Sequence, residues 1–468
     1  MVFSSVIFLF IFLPFTLLVN FLLTKEIRNV FLLIASLIFY AWGEGPLVLL
    51  MIISIIINYI VGLGIEKWKD NKQSKSIVLT IGILINIGLL GYYKYFNFII
   101  ENLGYIFDFS KMDFDYINLP IGISFFTFQS ISYLIDLYRN EVEVQKNPLH
   151  LGLYISLFPQ LIAGPIVRYH DIANQIKNRS ITLTQFTSGL NKFIRGLAKK
   201  VFVANTAALM ADTILSNPIG EIPTVMAWLA ILSYAIQIYF DFSGYSDMAI
   251  GLGRMFGFEF KENFNYPYIA KSIQDFWRRW HISLSTWFRD YLYIPLGGNR
   301  VTSFKVYRNL LIVFLVTGLW HGASWNFVFW GVYHGIFIML ERAGIINTSK
   351  FPKILQHIYL IIIVLIGWVF FRIENFNDSL HFVVKLFNFS SEGNWEPLVL
   401  LNTFNIFILL WGVIFATPIR LYFIEKLKVL DKKDLGLALN NLSYLLLFVL
   451  TLFELSQSSY NPFIYFRF

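Results

Sequence analysis

Eleven stretches of this chain run for at least 15 residues without a formal charge: 2–23, 29–43, 45–65, 77–93, 117–135, 147–167, 222–240, 309–340, 354–371, 398–419 and 435–453. A helix needs about 20 mostly apolar residues to cross a bilayer core, so the pattern is that of a chain that crosses many times. Composition agrees with it. Only 14% of residues are charged and 57% are hydrophobic, whereas an average soluble domain has about 25% charged residues. Such a chain cannot cover a water-facing surface, which excludes a soluble globular enzyme, along with disorder, collagen and coiled coil.

Two runs are not simple crossings. The 147–167 run contains Pro148, Pro159, Gly164 and Pro165. Proline removes a helix donor and clashes with the preceding turn, so a broken or re-entrant segment is predicted. The 309–340 run has 32 residues, about 48 Å as a straight helix against a core of about 30 Å. It must fold back, with Gly318 and Gly322 as candidate breaks. The opening run reads as a span rather than a signal peptide, because no basic residue precedes it and it is too long for an h-region.

Charge orients the chain. Lys+Arg minus Asp+Glu is +1 for 25–28, +2 for 66–75, −2 for 94–116, +6 for 168–200, −2 for 201–221, +5 for 261–308, +2 for 341–353, −2 for 372–397 and +2 for 420–434. The signs alternate as a serpentine chain requires if a short crossing lies near 201–211 and 309–340 is a hairpin. The 136–147 loop, at −1, is a mild exception. By the positive-inside rule the basic segments face the cytoplasm and the amino terminus lies outside. The expected fold is all-α: a polytopic membrane protein of ten to twelve transmembrane helices with re-entrant and interfacial amphipathic helices, in one domain over 1–468.

Segments 168–200 and 261–308 together carry +11, more than the +8 of the whole chain. Topology and contact with anionic lipid explain this simply. An anionic cytoplasmic substrate is the sharper alternative. Residues 274–290 read QDFWRRWHISLSTWFRD, with Phe276, Trp277, Trp280, Leu284, Trp287 and Phe288 at helical spacing and Arg278, Arg279 and Arg289 largely elsewhere. This predicts an amphipathic helix in the membrane interface, with His281 bordering its apolar stripe. Arginine forks there suit phosphates, as a nucleotide-bearing acyl donor would need. Nucleic acid is a poor partner, since there is no basic soluble domain to present to it.

Two of the seven histidines, His321 and His334, lie inside the 309–340 run. An ionisable group in hydrocarbon is costly and normally faces a bundle interior or polar cavity. Gly318 and Gly322 allow close backbone approach to His321, and Trp320, Trp325 and Trp330 would wall such a cavity. Imidazole titrates near neutrality and suits general-base removal of a hydroxyl proton. The bland alternative, for these and for His281, is a neutral histidine bonded between helices. His334 lies about 220° from His321 around an ideal helix, so the two are not expected to share a face. Asp241 and Asp247 fall just past a span, with a cap or ion pair as the simplest role and a cavity lining as the alternative. No GxGxxG, GxxxxGK[ST], GxSxG or HExxH occurs, no metal site is expected, and with no cysteine there is no thiol chemistry.

The strings LIAGPIVRY (161–169), QIYFDFSGYSDMAIGLGRMFGF (237–258), FWRRWHISLSTWFRDYLYIPLGG (276–298) and GLWHGASWNFVFWGVYHG (318–335) resemble the membrane-bound O-acyltransferase superfamily, and within it the AlgI-like alginate O-acetyltransferase branch. The opening MVFSSVIFLFIFLP and closing NPFIYFRF resemble that branch too. The resemblance implies an O-acyltransferase that moves acetyl from acetyl-CoA towards an extracellular or cell-wall polysaccharide, from a bacterial inner membrane. It places His321 at the family's essential histidine and His281 at its second. It also implies a funnel from the cytoplasm, with Arg278, Arg279, Trp280, Trp320 and Asn326 as donor-binding candidates. Acetyl-CoA is then a substrate, no cofactor stays bound, and a separate extracytoplasmic SGNH-type transferase is the expected partner. Alginate, peptidoglycan and cellulose all remain open as acceptors. Two alternatives stand: D-alanyl transfer from a carrier protein to teichoic acid, and a transporter or flippase lined by His321 and Asp241.

Overall fold

A computed structural model describes residues 1–104, 106–107, 115–419, 422, 433–457 and 460–463. Among them every regular element is helical. The 420–434 basic stretch lies largely outside the described residues, as do 108–114 of the acidic 94–116 loop and 464–468 of the closing string. Five helical segments are long and apolar enough to cross a membrane: Lys25–Lys67, Lys72–Gly104, Thr224–Met255, Ser303–His321 and Lys353–Arg372. Two shorter apolar helices, Phe8–Leu22 and Thr403–Phe415, accompany them. The chain divides into two compact units, Met1–Phe193 with Met248–Lys261, and Ile194–Asp247 with Glu262–Phe468.

The first unit contains α1 (Leu13–Leu22), α2 (Lys25–Glu44), α3 (Val48–Lys67), α4 (Lys72–Leu90), α5 (Phe96–Gly104), α6 (Ile123–Tyr138), α7 (Pro148–Ser156), α8 (Phe158–Leu161), α9 (Tyr169–Asn178) and the start of α10 (Leu183–Ala198). Glycine at position 45 sets the α2–α3 boundary: its φ of 55° suits a residue without Cβ, and Pro46 follows. Outward faces of α1 and α3 expose Phe15, Leu18, Leu49 and Ile60, which only an apolar surrounding tolerates in such density. Where α3 meets α4, Asn58 and Asn86 exchange hydrogen bonds of 3.2 and 2.8 Å, so neither buried amide is left unpaired.

The expected break in 147–167 is present. Helix α7 ends at Leu157 (φ −53°, ψ 111°) and α8 begins with Phe158-Pro159. Residues 151–167 are all buried, so this irregular backbone is enclosed by protein, as the membrane requires. Its polar groups are met internally: Ser36 Oγ accepts from Phe158 N at 3.1 Å, and the Tyr154 hydroxyl donates to Val167 O at 3.1 Å.

Outside the spans, His170 Nδ1 lies 2.9 Å from Asp136 Oδ2 and its Nε2 lies 3.4 Å from Asp171 Oδ1. The hydrogen bond to fully buried Asp136 and then that to Asp171 raise the imidazole to about 9, against burial and Arg168. Lys261 offsets Asp171 from the other side at 2.5 Å. The folded value exceeds the unfolded value of about 6.5, so the stabilisation is complete below that pH and is lost as pH rises through about 9. The unfolding temperature is therefore expected to fall between pH 6.5 and 9, and the fall should be shallower in His170→Gln. Thermal scans across pH check this, and an identical slope in the variant removes the assignment.

The second unit contains the end of α10, then α11 (Asn205–Leu215), α12 (Thr224–Met255) as far as Asp247, α13 (Ile273–Arg279), α14 (Ile282–Phe288), α15 (Ser303–His321), α16 (Trp325–Arg342), α17 (Lys353–Arg372), α18 (Phe376–Phe387), α19 (Thr403–Phe415) and α20 (Lys433–Gln457), the rest of α12 belonging to the first unit. Helix α12 runs through both Asp241 and Asp247, and the ion pair expected as their simplest role is present for each. Asp241 meets Lys200 at 2.8 Å with both side chains buried, and Asp247 meets Lys199 at 2.8 Å and Arg195 at 3.5 Å. Pairing of this kind lets a carboxylate stay inside an apolar helix.

Candidate active site

The 309–340 run folds back as expected, but at one glycine only. Helix α15 ends on His321, Gly322 is extended (φ −171°), and α16 starts at Trp325. Gly318 is not a break. It is where the two helices touch: a Cβ on Gly318 would strike the carbonyl oxygen of Phe327, and one on Gly331 would strike that of Phe314. Backbone-to-backbone contact of this kind needs residues without side chains. It holds the last turn of α15 against α16 and thereby fixes the position of His321.

His321 is 4% exposed. Around it stand Trp320, Trp330 and Phe371, with ring centroids 4.9, 5.1 and 5.0 Å away. Trp330 also meets His334 at 5.1 Å. The helical-wheel expectation that His321 and His334 do not share a face applies to one continuous helix; the helix stops at Gly322, and both rings meet the Trp330 indole. Trp277 completes this group, 5.5 Å from Trp330 and 5.2 Å from His334.

The single amphipathic helix expected over 274–290 is two helices, α13 and α14, hinged at Trp280-His281. His281 adopts the left-handed region (φ 46°, ψ 55°), which for a residue with a Cβ costs about 1–3 kcal/mol and persists only when the surroundings over-determine it. The aromatic stripe is buried against protein rather than laid on lipid. Phe276 and Trp280 stack at 5.5 Å and 17°, and Trp280 meets Trp368 at 5.0 Å. His281 itself is 1% exposed. Its ring meets Phe242 edge-on at 4.6 Å and Trp320 at 5.9 Å. Trp320 thus meets both His281 and His321.

The other expected donor-binding residues divide. Arg278 is exposed. Arg279 is held by Asp275 at 2.9 Å and donates to Asn265 O at 3.2 Å. Asn326 is buried; its amide donates to Ile373 O and, at 3.0 Å, to Ser379 Oγ, tying α16 to the start of α18. Reasoning from sequence missed Phe242, Asn263 and Phe371, which lie 18 or more residues from the histidine they touch, and Trp368, which packs on Trp280 and Trp330; none carries a local signal. It also missed a cluster in the first unit, where one ligand-type atom each of Asp136, Glu141 and His170 lies within 4.8 Å of the others.

Fold and site together define a polytopic helical membrane protein built around a buried histidine and aromatic centre. Residues 34–377 match the model of MBOAT, the membrane-bound O-acyltransferase family, and the chain belongs to that family. It is 42% identical to "Probable alginate O-acetylase AlgI" of Azotobacter vinelandii over the whole of both chains. It is 38% identical to the peptidoglycan O-acetyltransferase of Helicobacter pylori, covering 89% of this chain and 86% of that one. It is 32% identical to the teichoic acid D-alanyltransferase of Bacillus subtilis, over 46% of this chain and 57% of that one. The protein is accordingly a membrane-embedded O-acyltransferase, and the transporter reading falls.

Proposed function

We propose that the protein passes an acetyl group from cytoplasmic acetyl-CoA through the membrane for O-acetylation of an extracytoplasmic polysaccharide, with His321 as the proton acceptor. The observation that carries this reading is the burial of His321 at a hairpin turn among Trp320, Trp330 and Phe371. An imidazole kept at such cost inside a membrane protein marks a functional site by default. The likeness to proteins named for O-acetylation, over the whole chain in one case and 89% of it in the other, supports acetyl as the group.

In the reaction, a hydroxyl oxygen of the acceptor that delivers the acetyl group to the partner transferase attacks the thioester carbonyl while His321 takes the hydroxyl proton. The C–S bond then breaks, an ester forms, and the imidazolium returns the proton to the departing thiolate, giving free CoA. With no cysteine in the chain, a cysteinyl thioester is not an intermediate. The donor enters from the basic side, which the charge map assigns to the cytoplasm with the amino terminus outside. Exposed Arg278 is suited to its phosphates. A separate SGNH-type transferase receives the acetyl group beyond the membrane.

D-alanyl transfer is the second reading, favoured by the likeness to a teichoic acid D-alanyltransferase. Purified protein in nanodiscs, offered radiolabelled acetyl-CoA or an aminoacyl carrier-protein thioester, separates them. Release of free CoA from acetyl-CoA, with no discharge of the carrier protein, is the expected result. Discharge of the carrier protein alone overturns the acetyl donor.

A further inference from the structure

Asn263 meets the strained turn at His281 with both its side chain and its backbone. Asn263 Oδ1 accepts from Ser283 N at 3.1 Å and Ser283 Oγ at 2.9 Å, and lies 3.2 Å from His281 Nδ1. Its Nδ2 donates to Ser246 Oγ at 3.1 Å, and its own carbonyl accepts from Ile282 N at 2.9 Å. An amide oxygen and nitrogen are normally told apart only by their partners. Here a backbone N–H, which can only donate, faces the atom in question and identifies it as oxygen. An oxygen that only accepts, 3.2 Å from Nδ1, requires Nδ1 to carry the proton. The neutral ring therefore has a bare Nε2. That nitrogen is buried and has no hydrogen-bond partner among the described residues, an arrangement that calls for an explanation in a native protein.

We propose that Asn263 is the positioning residue that fixes His281 in its Nδ1–H tautomer and so presents Nε2 as a hydrogen-bond or proton acceptor at the site. The inference rests on the acyl-transfer reading for its consequence, while its structural content is independent of the donor. The tautomer of a histidine is set by the bond its other nitrogen makes. Among the described residues, the ring's neighbours include Asn263, Ser283, Phe242 and Trp320. Asn263 is the one that both accepts from Nδ1 and closes the turn.

Three variants test this in nanodiscs. Asn263→Leu keeps the bulk but cannot accept; its kcat for thioester turnover is expected to fall about 10²-fold, within the range of a positioned proton acceptor, with KM for acetyl-CoA changed less than about threefold. Asn263→Asp still accepts from Nδ1 and should retain kcat within about tenfold. Ser283→Ala leaves the Nδ1 bond in place and should lose little. A loss in Asn263→Asp or Ser283→Ala as large as in Asn263→Leu overturns the proposal, because the amide would then be acting only on the turn. In 15N-histidine NMR, the His281 signals (identified by their absence in His281→Gln) should report a protonated Nδ1 in the unmodified protein and a changed tautomer in Asn263→Leu. Protonation at Nε2 in the unmodified protein, or an unchanged tautomer in Asn263→Leu, overturns it as well. If the unmodified protein does not turn over acetyl-CoA, the donor reading fails and the NMR result still decides the role of Asn263. Should Asn263→Leu not fold, Asn263→Asp and the unmodified tautomer carry the test.

Discussion

Replacing His321 with alanine is expected to lower acyl transfer by about 10²- to 10⁴-fold, the range that a positioned proton acceptor supplies, while the protein remains folded. On the proposed mechanism the loss should fall on kcat, because the imidazole would act on a proton that moves only in the transition state. Truncating a residue that is 4% exposed also leaves a cavity, so His321→Gln serves as the closer match in volume. It should be nearly as inactive, since a glutamine cannot take up the proton. The check is CoA release from radiolabelled acetyl-CoA alongside a melting curve for each variant. A folded His321→Ala protein that turns over its donor at the unmodified rate would contradict the mechanism.

Closing the contact between α15 and α16 should be nearly as damaging by a different route. Gly318 and Gly331 meet backbone to backbone, so an added methyl strikes carbonyl oxygens that belong to helices rather than a side chain that can swing aside. Overpacking of this kind typically costs about 1–3 kcal/mol. Gly331→Ala should therefore lower the melting temperature clearly, and Gly331→Leu should fail to give folded protein. Activity should fall with stability, since this hairpin carries His321, Trp330 and His334. The double variant Gly318→Ala/Gly331→Ala should cost less than the sum of the two, because the first opens the space that the second needs. Gly88 is the control. It lies inside α4 with open space where its Cβ would be, so Gly88→Ala should be neutral or stabilising by about 0.5–1 kcal/mol. Equal melting temperatures for Gly331→Ala and Gly88→Ala would refute the packing argument.

Much of this was legible from sequence because membrane helices write their main constraint as uninterrupted apolarity. The fold-back of 309–340 followed from its length alone, and the break in 147–167 from its prolines. Other features depend on tertiary partners and leave no local trace. An ion pair for Asp241 was expectable in kind, but its partner Lys200 lies 41 positions away and no local pattern names it. The 274–290 segment has the spacing of one amphipathic helix, but its aromatic face packs on Trp330 and Trp368 and the chain bends at His281. Nothing local places a left-handed residue at 281 in particular; the turn there is met by Asn263, 18 positions away. The histidines of the site were visible as costly residues in apolar surroundings, whereas the rings between them, Trp320 and Trp330, read from sequence as ordinary walls.

A structure of the protein bound to a thioether analogue of acetyl-CoA, determined by electron cryomicroscopy in nanodiscs, puts the placement of the chemistry to the most direct test. The analogue's arm is expected to enter from the basic side and to end beside Trp320 and Trp330, with its carbonyl end within about 3–4 Å of the His321 ring. An arm that ends away from residue 321, or a His321 ring still enclosed on every side by protein when the analogue is bound, would contradict it.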